Sequence, residues 1–434
     1  MSNATATLPP APNATPASPP AGPAAPRCRF CDAPLTRTFA DLGTSPLCQK
    51  HVTPADFDRG EPFYPLHAFV CGHCFLVQLP AYVAREAIFD DHYAYFSSYS
   101  DTMLAHARRY VDDMIDRLKL GAHSRVVELA SNDGYLLQYF VQRQIPCLGI
   151  EPTTNTAAAA RQKGVPALEA FFGVETAKTV REQTGAADLI LGNNVLAHVP
   201  NLNDFVGGMK VLLAPRGVVT MEFPLLQHLV ERNYWDTIYH EHFSYLSVST
   251  VERVFAAHGL ELFDVEEIDI HGGSARVFAR HAGEATHARS PRLDQIKARE
   301  ARAGQYDLNW YESFGRRVAE HKRRILSFLI DARSQGKRVA AYGAPGKGNT
   351  LLNYCGIRTD FIEYTVDRSP HKQGNFLPGS RIPICAPDKL AETRPDYVVI
   401  LVWNLKDEVM RQMSHVRDWG GRFVVFMPDV QVFD

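Results

Sequence analysis

The chain has 434 residues, of which 45% are apolar and 22% charged, with a formal net charge of −2. That length suits two or three globular units. The balanced charge gives no nucleic-acid or membrane-surface signature, and no apolar run approaches the ~20 residues of a membrane-spanning helix.

Residues 1–26 are mostly Pro, Ala, Thr and Asn. With almost no large apolar side chains they cannot bury a core and are expected to form a disordered tail. They lack the basic start and apolar middle of a secretion signal, so a cytosolic setting with reduced thiols is expected. Two Cys-x-x-Cys pairs follow, Cys28 with Cys31 and Cys71 with Cys74. Each pair makes a tight turn that aims two thiolates at one point, and four thiolates give the tetrahedral set that zinc prefers. A filled shell leaves no open position, so the metal is expected to be structural. Gly72 is expected to ease the second turn. Cys48 and His51 form a further ligand-like pair, which the complete four-cysteine set leaves over.

HYAYFSSYS (92–100) shows no helical face and reads as a loop or lid. RVVELASNDGYLLQYF (125–140) is an apolar strand, a small-residue turn and a helix, and CLGIEP (147–152) is a second strand ending in an acid. In a doubly wound sheet this places a ligand at the carboxyl ends of the two strands. A dinucleotide site wants G-x-G-x-x-G to hold a pyrophosphate. This turn has one glycine and an acid, a setting that repels phosphate and suits a cation. S-adenosylmethionine, with an ammonium, a sulfonium, a ribose and no phosphate, is therefore the expected cofactor. Glu128 and Asp133 would serve its methionine end and water network, Gly134 would let the backbone approach, and Glu151 would take the ribose hydroxyls. Ala130, Asn132 and Pro152 lie beside them. ALEAFFG (167–173) would contact adenine through Ala170, Phe171 and Phe172. DLILGNNVLAHVPN (188–201) is a strand that delivers Asn193 to the cofactor and Asn194 to the substrate. GVVTMEFP (217–224), with Glu222 as a substrate contact, is the next strand, and SARVFAR (274–280) closes the sheet.

YHEHFSYLS (239–247) looks like a zinc-protease sequence only superficially. That chemistry needs H-E-x-x-H on one helical face, whereas His240 and His242 are two apart. A proton-transfer role fits better. After a charged helical stretch the strand–loop–helix pattern restarts in KRVAAYGAPGKGNTLLNYCG (337–356), with the helix expected from Asn349 and Thr350. FIEYTVDRSP, YVVILVWN and RFVVFMPD are further strands. The loop is not a Walker sequence, but Gly343, Gly346 and Gly348 with Lys347 at a helix start make an anion site that would suit a nucleoside diphosphate.

The paired Cys-x-x-Cys, HYAYFSSYS, ELASNDGYLL, NNVLAHVPN, YHEHFSYLS and YGAPGKGNTLLNYCG occur in this order from about residue 27 to the end. Together they resemble the sugar C-methyltransferases of deoxysugar biosynthesis, which methylate C-3 of a nucleotide-linked 4-keto-deoxyhexose. Cys48 and the tail fall outside the resemblance. It implies an α/β chain with three parts: a small N-terminal zinc-binding module (27–85), a central class I Rossmann-like methyltransferase domain (86–285), and a smaller C-terminal Rossmann-like α/β domain (286–434). The last would hold the substrate nucleotide through Gly343, Lys347, Gly348, Asn349, Asp367 and Trp403. The implied reaction removes a hydrogen beside a ketone, which needs a base working near neutrality. His242 is the expected base. Glu241 would orient it or bind a sugar hydroxyl, and Tyr239 and His240 would line the pocket. Tyr93 is a second proton-transfer candidate and His198 a third. Tyr95, Ser97 and Tyr99 would lie over the cofactor.

Three other accounts remain open at this stage. One is a methyltransferase for another anionic small molecule, methylated at C, N or S. Another is a zinc ribbon that binds nucleic acid, opposed by the missing basic patch. The third is a dehydrogenase with two dinucleotide folds, opposed by the single-glycine turn. No oligomer and no nucleic-acid or membrane partner is implied.

Overall fold

A computed structural model of the chain describes residues 25–91, 93, 95–270 and 272–434. Residues 1–24 of the expected tail, and His92 and Ala94 of the expected lid, lie outside the described residues.

Strands β1 (Arg37–Ser45), β2 (Tyr64–Val70) and β3 (Val77–Gln78) form an antiparallel ribbon. In β2, Leu66, Ala68 and Val70 are buried while the residues between them are not, the alternation of a sheet with one covered face. The central unit carries β4 (Val126–Leu129), β5 (Cys147–Ile150), β6 (Ala167–Leu168), β7 (Ala187–Asn193) and β8 (Leu213–Pro224). Next come β9 (Ser244–Tyr245), β10 (Leu260–Ile268) and β11 (Ser274–His281). All but β9 join one seven-stranded sheet in the order β10-β11-β8-β7-β4-β5-β6. Strands β4 to β8 are parallel, and β11 is antiparallel between β8 and β10. Every residue of β4 is buried, as expected for a parallel strand covered on both faces. The strand order reverses between β4 and β7, so the loops that follow them diverge and leave a crevice.

The C-terminal unit repeats this plan. β12 (Val339–Tyr342), β13 (Thr365–Val366), β14 (Ile384–Cys385), β15 (Tyr397–Ile400), β16 (Arg422–Val425) and β17 (Gln431–Phe433) lie in the order β14-β13-β12-β15-β16-β17, with only β17 antiparallel. Its switch point falls between β12 and β15. The helix after β12 spans Gly346–Cys355, so it begins ahead of the expected Asn349. Pro345, extended at φ −82° and ψ 156°, sets that earlier start, and no side chain caps the first turn.

The N-terminal segment is not a body with its own core. Phe39, Leu66 and Val70 of the ribbon share one core with the helix Phe314–Ser334 and strands β12 to β16. The cysteine turns instead pack into the core of the central sheet, with Phe205, Val248 and Phe255. A segment this short buries too little surface to stand alone. Strand β9, which is SY of the YHEHFSYLS motif, pairs with β3 and so extends the ribbon. Among the described residues no helix is long and apolar enough to cross a membrane.

Candidate functional site

The four cysteine sulfurs lie within 4.8 Å of one another, with Cys28 to Cys74 at 3.6 Å and Cys31 to Cys71 at 3.5 Å. A tetrahedral zinc with Zn–S bonds of about 2.3 Å sets its sulfurs roughly 3.8 Å apart, so the donor set fits the metal. Two matching turns build it. The amides of Asp32 and Phe75 donate back to the carbonyls of Cys28 and Cys71, and both residues adopt positive φ, 60° and 62°. The unusual backbone thus falls on the residue after each pair and not on Gly72, which has open space around it. Gln78 Nε2 donates to Cys28 Sγ at 3.1 Å and the His73 amide to Cys71 Sγ at 3.4 Å, orienting two of the thiolates.

One cavity of about 470 Å³ collects the chemistry. From the central sheet it is lined by Ala130 and Asn132 after β4, Glu151 and Pro152 after β5, and Asn193, Asn194 and His198 after β7. Ala170, Phe171 and Phe172 line it after β6. The turn after β4 is tightly wound: Ala130, Asn132 and Gly134 have φ of 57°, 51° and 76°. It can sit against β5 only because residue 149 is glycine, since a Cβ there would fall 2.2 Å from Ser131 Oγ. Asn132 clasps the segment above it, accepting from the Ser97 amide at 2.9 Å and donating to the Tyr95 carbonyl at 3.1 Å. Glu151 already accepts from the Asn132 amide and from the amide and hydroxyl of Thr153.

Glu128 is fully buried and neither carboxylate oxygen has a hydrogen-bond partner. Burial, then Glu151, Asp133 and Glu222, push its pKa well above the ordinary range. A cation brought into this crevice would relieve that cost, which is the fit expected of a ligand carrying an ammonium and a sulfonium.

The opposite side of the cavity comes from the C-terminal switch point: Lys347 at the helix start, Asp367 after β13, Lys372 and Asn404. Lys347 donates to Asn404 Oδ1 and lies 4.2 Å from the Trp403 ring centroid. Burial lowers its pKa to about 8, against the attraction of Asp236. Asp367 accepts from the Ala344 and Ser369 amides at 2.8 and 2.9 Å, bracing the glycine-rich loop. Asn349 is buried with its amide group unpartnered.

Tyr239, Glu241 and His242 line the same cavity, and Tyr93 joins them from the lid segment. His242 Nδ1 lies 2.8 Å from the Thr237 carbonyl, and its ring packs at 4.0 Å on Tyr239 and edge-on at 4.7 Å to His198. Burial lowers the His242 pKa to about 4. Glu241 does not orient His242: its oxygens accept from Cys48 Sγ at 3.3 Å and from the Tyr93 hydroxyl at 3.2 Å. Burial pushes the Glu241 pKa up to about 7.

Several expected contacts belong elsewhere. Glu222 is buried between His106 and Arg276, whose hydrogen bonds and charges outweigh burial and lower its pKa, so it serves an internal ion pair. His240 faces the Pro65 carbonyl and packs on Tyr64 in the ribbon. Tyr99 is 57% exposed and lies parallel to His371 of the C-terminal unit, and it does not line the cavity. Asp133 pairs with Lys163 at 2.8 Å. Trp403 stacks on Tyr234 and donates to Asp236, supporting Lys347 from behind. At Gly134, Gly343 and Gly348 there is no room for a side chain: added Cβ atoms would meet Val165, Val402 and Leu401 at 3.0, 2.9 and 3.0 Å. Sequence reasoning missed Lys372, Asn404 and Arg85, which stacks over Phe171 at 4.1 Å. Asn404 follows a strand end and Lys372 lies five residues past Asp367, a signal that was there to be read. Arg85 carries none.

Residues 28–89 match a zinc binding domain family, 103–265 a methyltransferase domain family, and 269–428 the C-methyltransferase C-terminal domain family. C-methyltransferase NovU of Streptomyces niveus is 35% identical over 405 residues, covering 93% of this chain and 96% of the relative. Among solved structures, the PH0226 protein of Pyrococcus horikoshii is 14% identical with a TM-score of 0.36, over 43% of this chain and 94% of that one. An S-adenosylmethionine-dependent methyltransferase of Clostridium acetobutylicum is 10% identical with a TM-score of 0.35, over 42% of this chain and 92% of that one. The near full-length match to NovU, with all three domain families in order, places the chain in the sugar C-methyltransferase family that its motifs resemble, as an S-adenosylmethionine-dependent C-methyltransferase with a zinc module.

Proposed function

We propose that the acceptor is a nucleoside-diphosphate-linked 4-keto-deoxysugar and that the methyl goes to C-3, the carbon beside the ketone. One observation carries this reading: two switch points open on a single cavity, one lined by Glu151, whose charge acts on the buried Glu128, and the other lined by Lys347 and Lys372. The uncapped helix start at Gly346, with Lys347 and Lys372, suits a diphosphate. Asp367, at a strand end, suits a ribose. Four cysteines gathered for a metal and not paired in disulfides fit the cytosol, where thiols stay reduced.

In this proposal His242 takes the C-3 hydrogen. With Nδ1–H donated to the Thr237 carbonyl, Nε2 keeps the lone pair, and a pKa lowered to about 4 keeps the ring neutral at pH 7. S-adenosylmethionine supplies the electrophilic methyl when bound. Tyr93 and Glu241 form a second proton-transfer pair, in which the phenol oxygen can accept a substrate proton while its own passes to Glu241. A second reading makes Glu241 itself the base, because a carboxylate at about 7 is better matched to the working pH.

Exchange at C-3 in His242→Ala separates the two: its loss identifies His242 as the base, and its retention identifies Glu241. In either reading activity should fall as pH drops through about 7, where Glu241 takes up a proton. The function itself is tested by incubating keto sugar nucleotides in deuterium oxide without methyl donor, then with it. Exchange at C-3 followed by methylation is expected. A protein that binds S-adenosylhomocysteine yet neither exchanges nor methylates these sugars acts on a different acceptor.

A further inference from the structure

Cys48 is one of four cysteines outside the zinc set, with Cys147, Cys355 and Cys385, and no motif accounts for it. The structure places it 193 residues away in sequence from its partner, with its thiol donating to Glu241 Oε1 at 3.3 Å. Cys48 is 3% exposed and Glu241 5% exposed. The thiol sits in a fitted place. A Cβ on residue 346 would lie 2.8 Å from Cys48 Sγ, so the glycine that starts the C-terminal helix makes room for it. Burial first, then the charge of Glu241, push the thiol pKa well up, so Cys48 remains protonated and remains a donor.

Titratable groups from several packed elements face Glu241. Cys48 and Lys50 come from the segment after β1, Tyr93 from the lid, Tyr239 from the same turn and Lys372 from the C-terminal unit. Lys50 is paired with Asp90. Lys372 donates to the Ala344 carbonyl and lies 3.7 Å from Asp367. The carboxylate itself accepts hydrogen bonds from two neutral donors, Cys48 on one oxygen and Tyr93 on the other. Since Tyr93 is the group whose proton would move, the thiol is the fixed one.

We propose that Cys48 is a positioning residue for the reaction: its thiol anchors Oε1 of Glu241, leaving Oε2 aimed at the Tyr93 hydroxyl and the carboxylate ionised for proton transfer. This rests on the reading that the Glu241–Tyr93 pair moves protons in the methyl transfer. The thiol forms and breaks no covalent bond.

The test compares wild type, Cys48→Ala and Cys48→Ser. Losing a donor disfavours the carboxylate, so its pKa rises and the acid limb of kcat/KM moves to higher pH. For a hydrogen bond to a charged group the expected shift is about one pH unit, with activity below the limb down ~10-fold. Serine keeps a donor and should restore the wild-type limb. An infrared difference spectrum, wild type minus Cys48→Ala, isolates the Cys48 S–H stretch from the other thiols. A band lowered by hydrogen bonding, moving back towards the free position in Glu241→Gln, is expected. Unchanged pH profiles in both Cys48 variants, or a free S–H band in wild type, would overturn the proposal. Should wild type fail to exchange the C-3 hydrogen, the function reading fails by itself, and the infrared arm still reports whether Cys48 holds Glu241.

Discussion

The two α/β units offer the same topological device to one cavity and dress it in opposite charge. After β4 the chain makes a turn with a single glycine over the buried, unpartnered carboxylate of Glu128. After β12 it makes a glycine-rich bend into an uncapped helix carrying Lys347, with Lys372 nearby. Strand order decides where a ligand can sit. The charge at each switch point decides which ligand it favours, a cation in the first and an anion in the second. Selective damage to either side is therefore the direct way to break the comparison.

The largest effect should come from a change that spares neither side. Strand β3 follows the second cysteine turn and pairs with β9, directly after Glu241 and His242 in the chain. Removing zinc, by chelation or by Cys71→Ser, should abolish methyl transfer and lower the unfolding temperature, since binding of structural zinc is worth on the order of 10 kcal/mol. Metal content and calorimetry on the same sample check this. Retained activity in a zinc-free, fully folded protein would show that the ribbon does not hold the proton-transfer turn.

Next in size is Lys347→Ala. Loss of a half-buried cation beside an uncapped helix start should weaken nucleoside diphosphate binding ~100-fold and leave S-adenosylhomocysteine binding unchanged. Because the Lys347 pKa is lowered to about 8, the diphosphate affinity should fall as pH rises through that value. Glu128→Gln is the mirror experiment and should be milder. It removes the charge but keeps the shape, so donor affinity should drop ~10-fold with diphosphate binding intact. The folded pKa of Glu128 is raised, so its buried carboxylate opposes folding at high pH, and Glu128→Gln should stabilise the free protein there while weakening the donor complex. Titration calorimetry of each variant with each ligand gives four numbers, and equal losses on both ligands would erase the contrast between the two sides.

What could be read in the sequence follows the range of the interactions. The cysteine turns and both strand–turn–helix units rest on local pattern and appear where expected, apart from the earlier helix start at Gly346. SARVFAR, expected to close the sheet, instead lies between β8 and β10, because β10 pairs along its outer side. The misplaced residues are those whose partners are distant in sequence. Glu222 looks available in GVVTMEFP until Arg276 and His106 close on it. His240 and His242 are equivalent by eye, yet one turns to Pro65 in the ribbon and the other to Thr237 beside the cavity. Trp403 ends a strand as a ligand contact would, but its indole nitrogen is committed to Asp236, 167 residues earlier. Cys48 is the clearest case, a leftover thiol in the sequence and a partner of Glu241 in the fold.

The smallest prediction concerns the glycines, and it separates packing from ligand contact. Gly134 has φ 76°, where a side chain is strained, and its Cβ would press on Val165 and Ala160 at 3.0 to 3.2 Å. Gly134→Ala should therefore cost ~1–2 kcal/mol of stability. Gly348 has no such backbone strain. Its added Cβ would meet Leu401 Cβ at 3.0 Å, while alanine gains ~1 kcal/mol of helix propensity, so the two terms nearly cancel. If both glycines act through packing, each variant that folds should bind its own ligand within about twofold of wild type. A large loss of donor affinity in Gly134→Ala, with stability unchanged, would mean that the turn after β4 meets the donor through its backbone, and the two switch points would then share a mode of recognition as well as a topology.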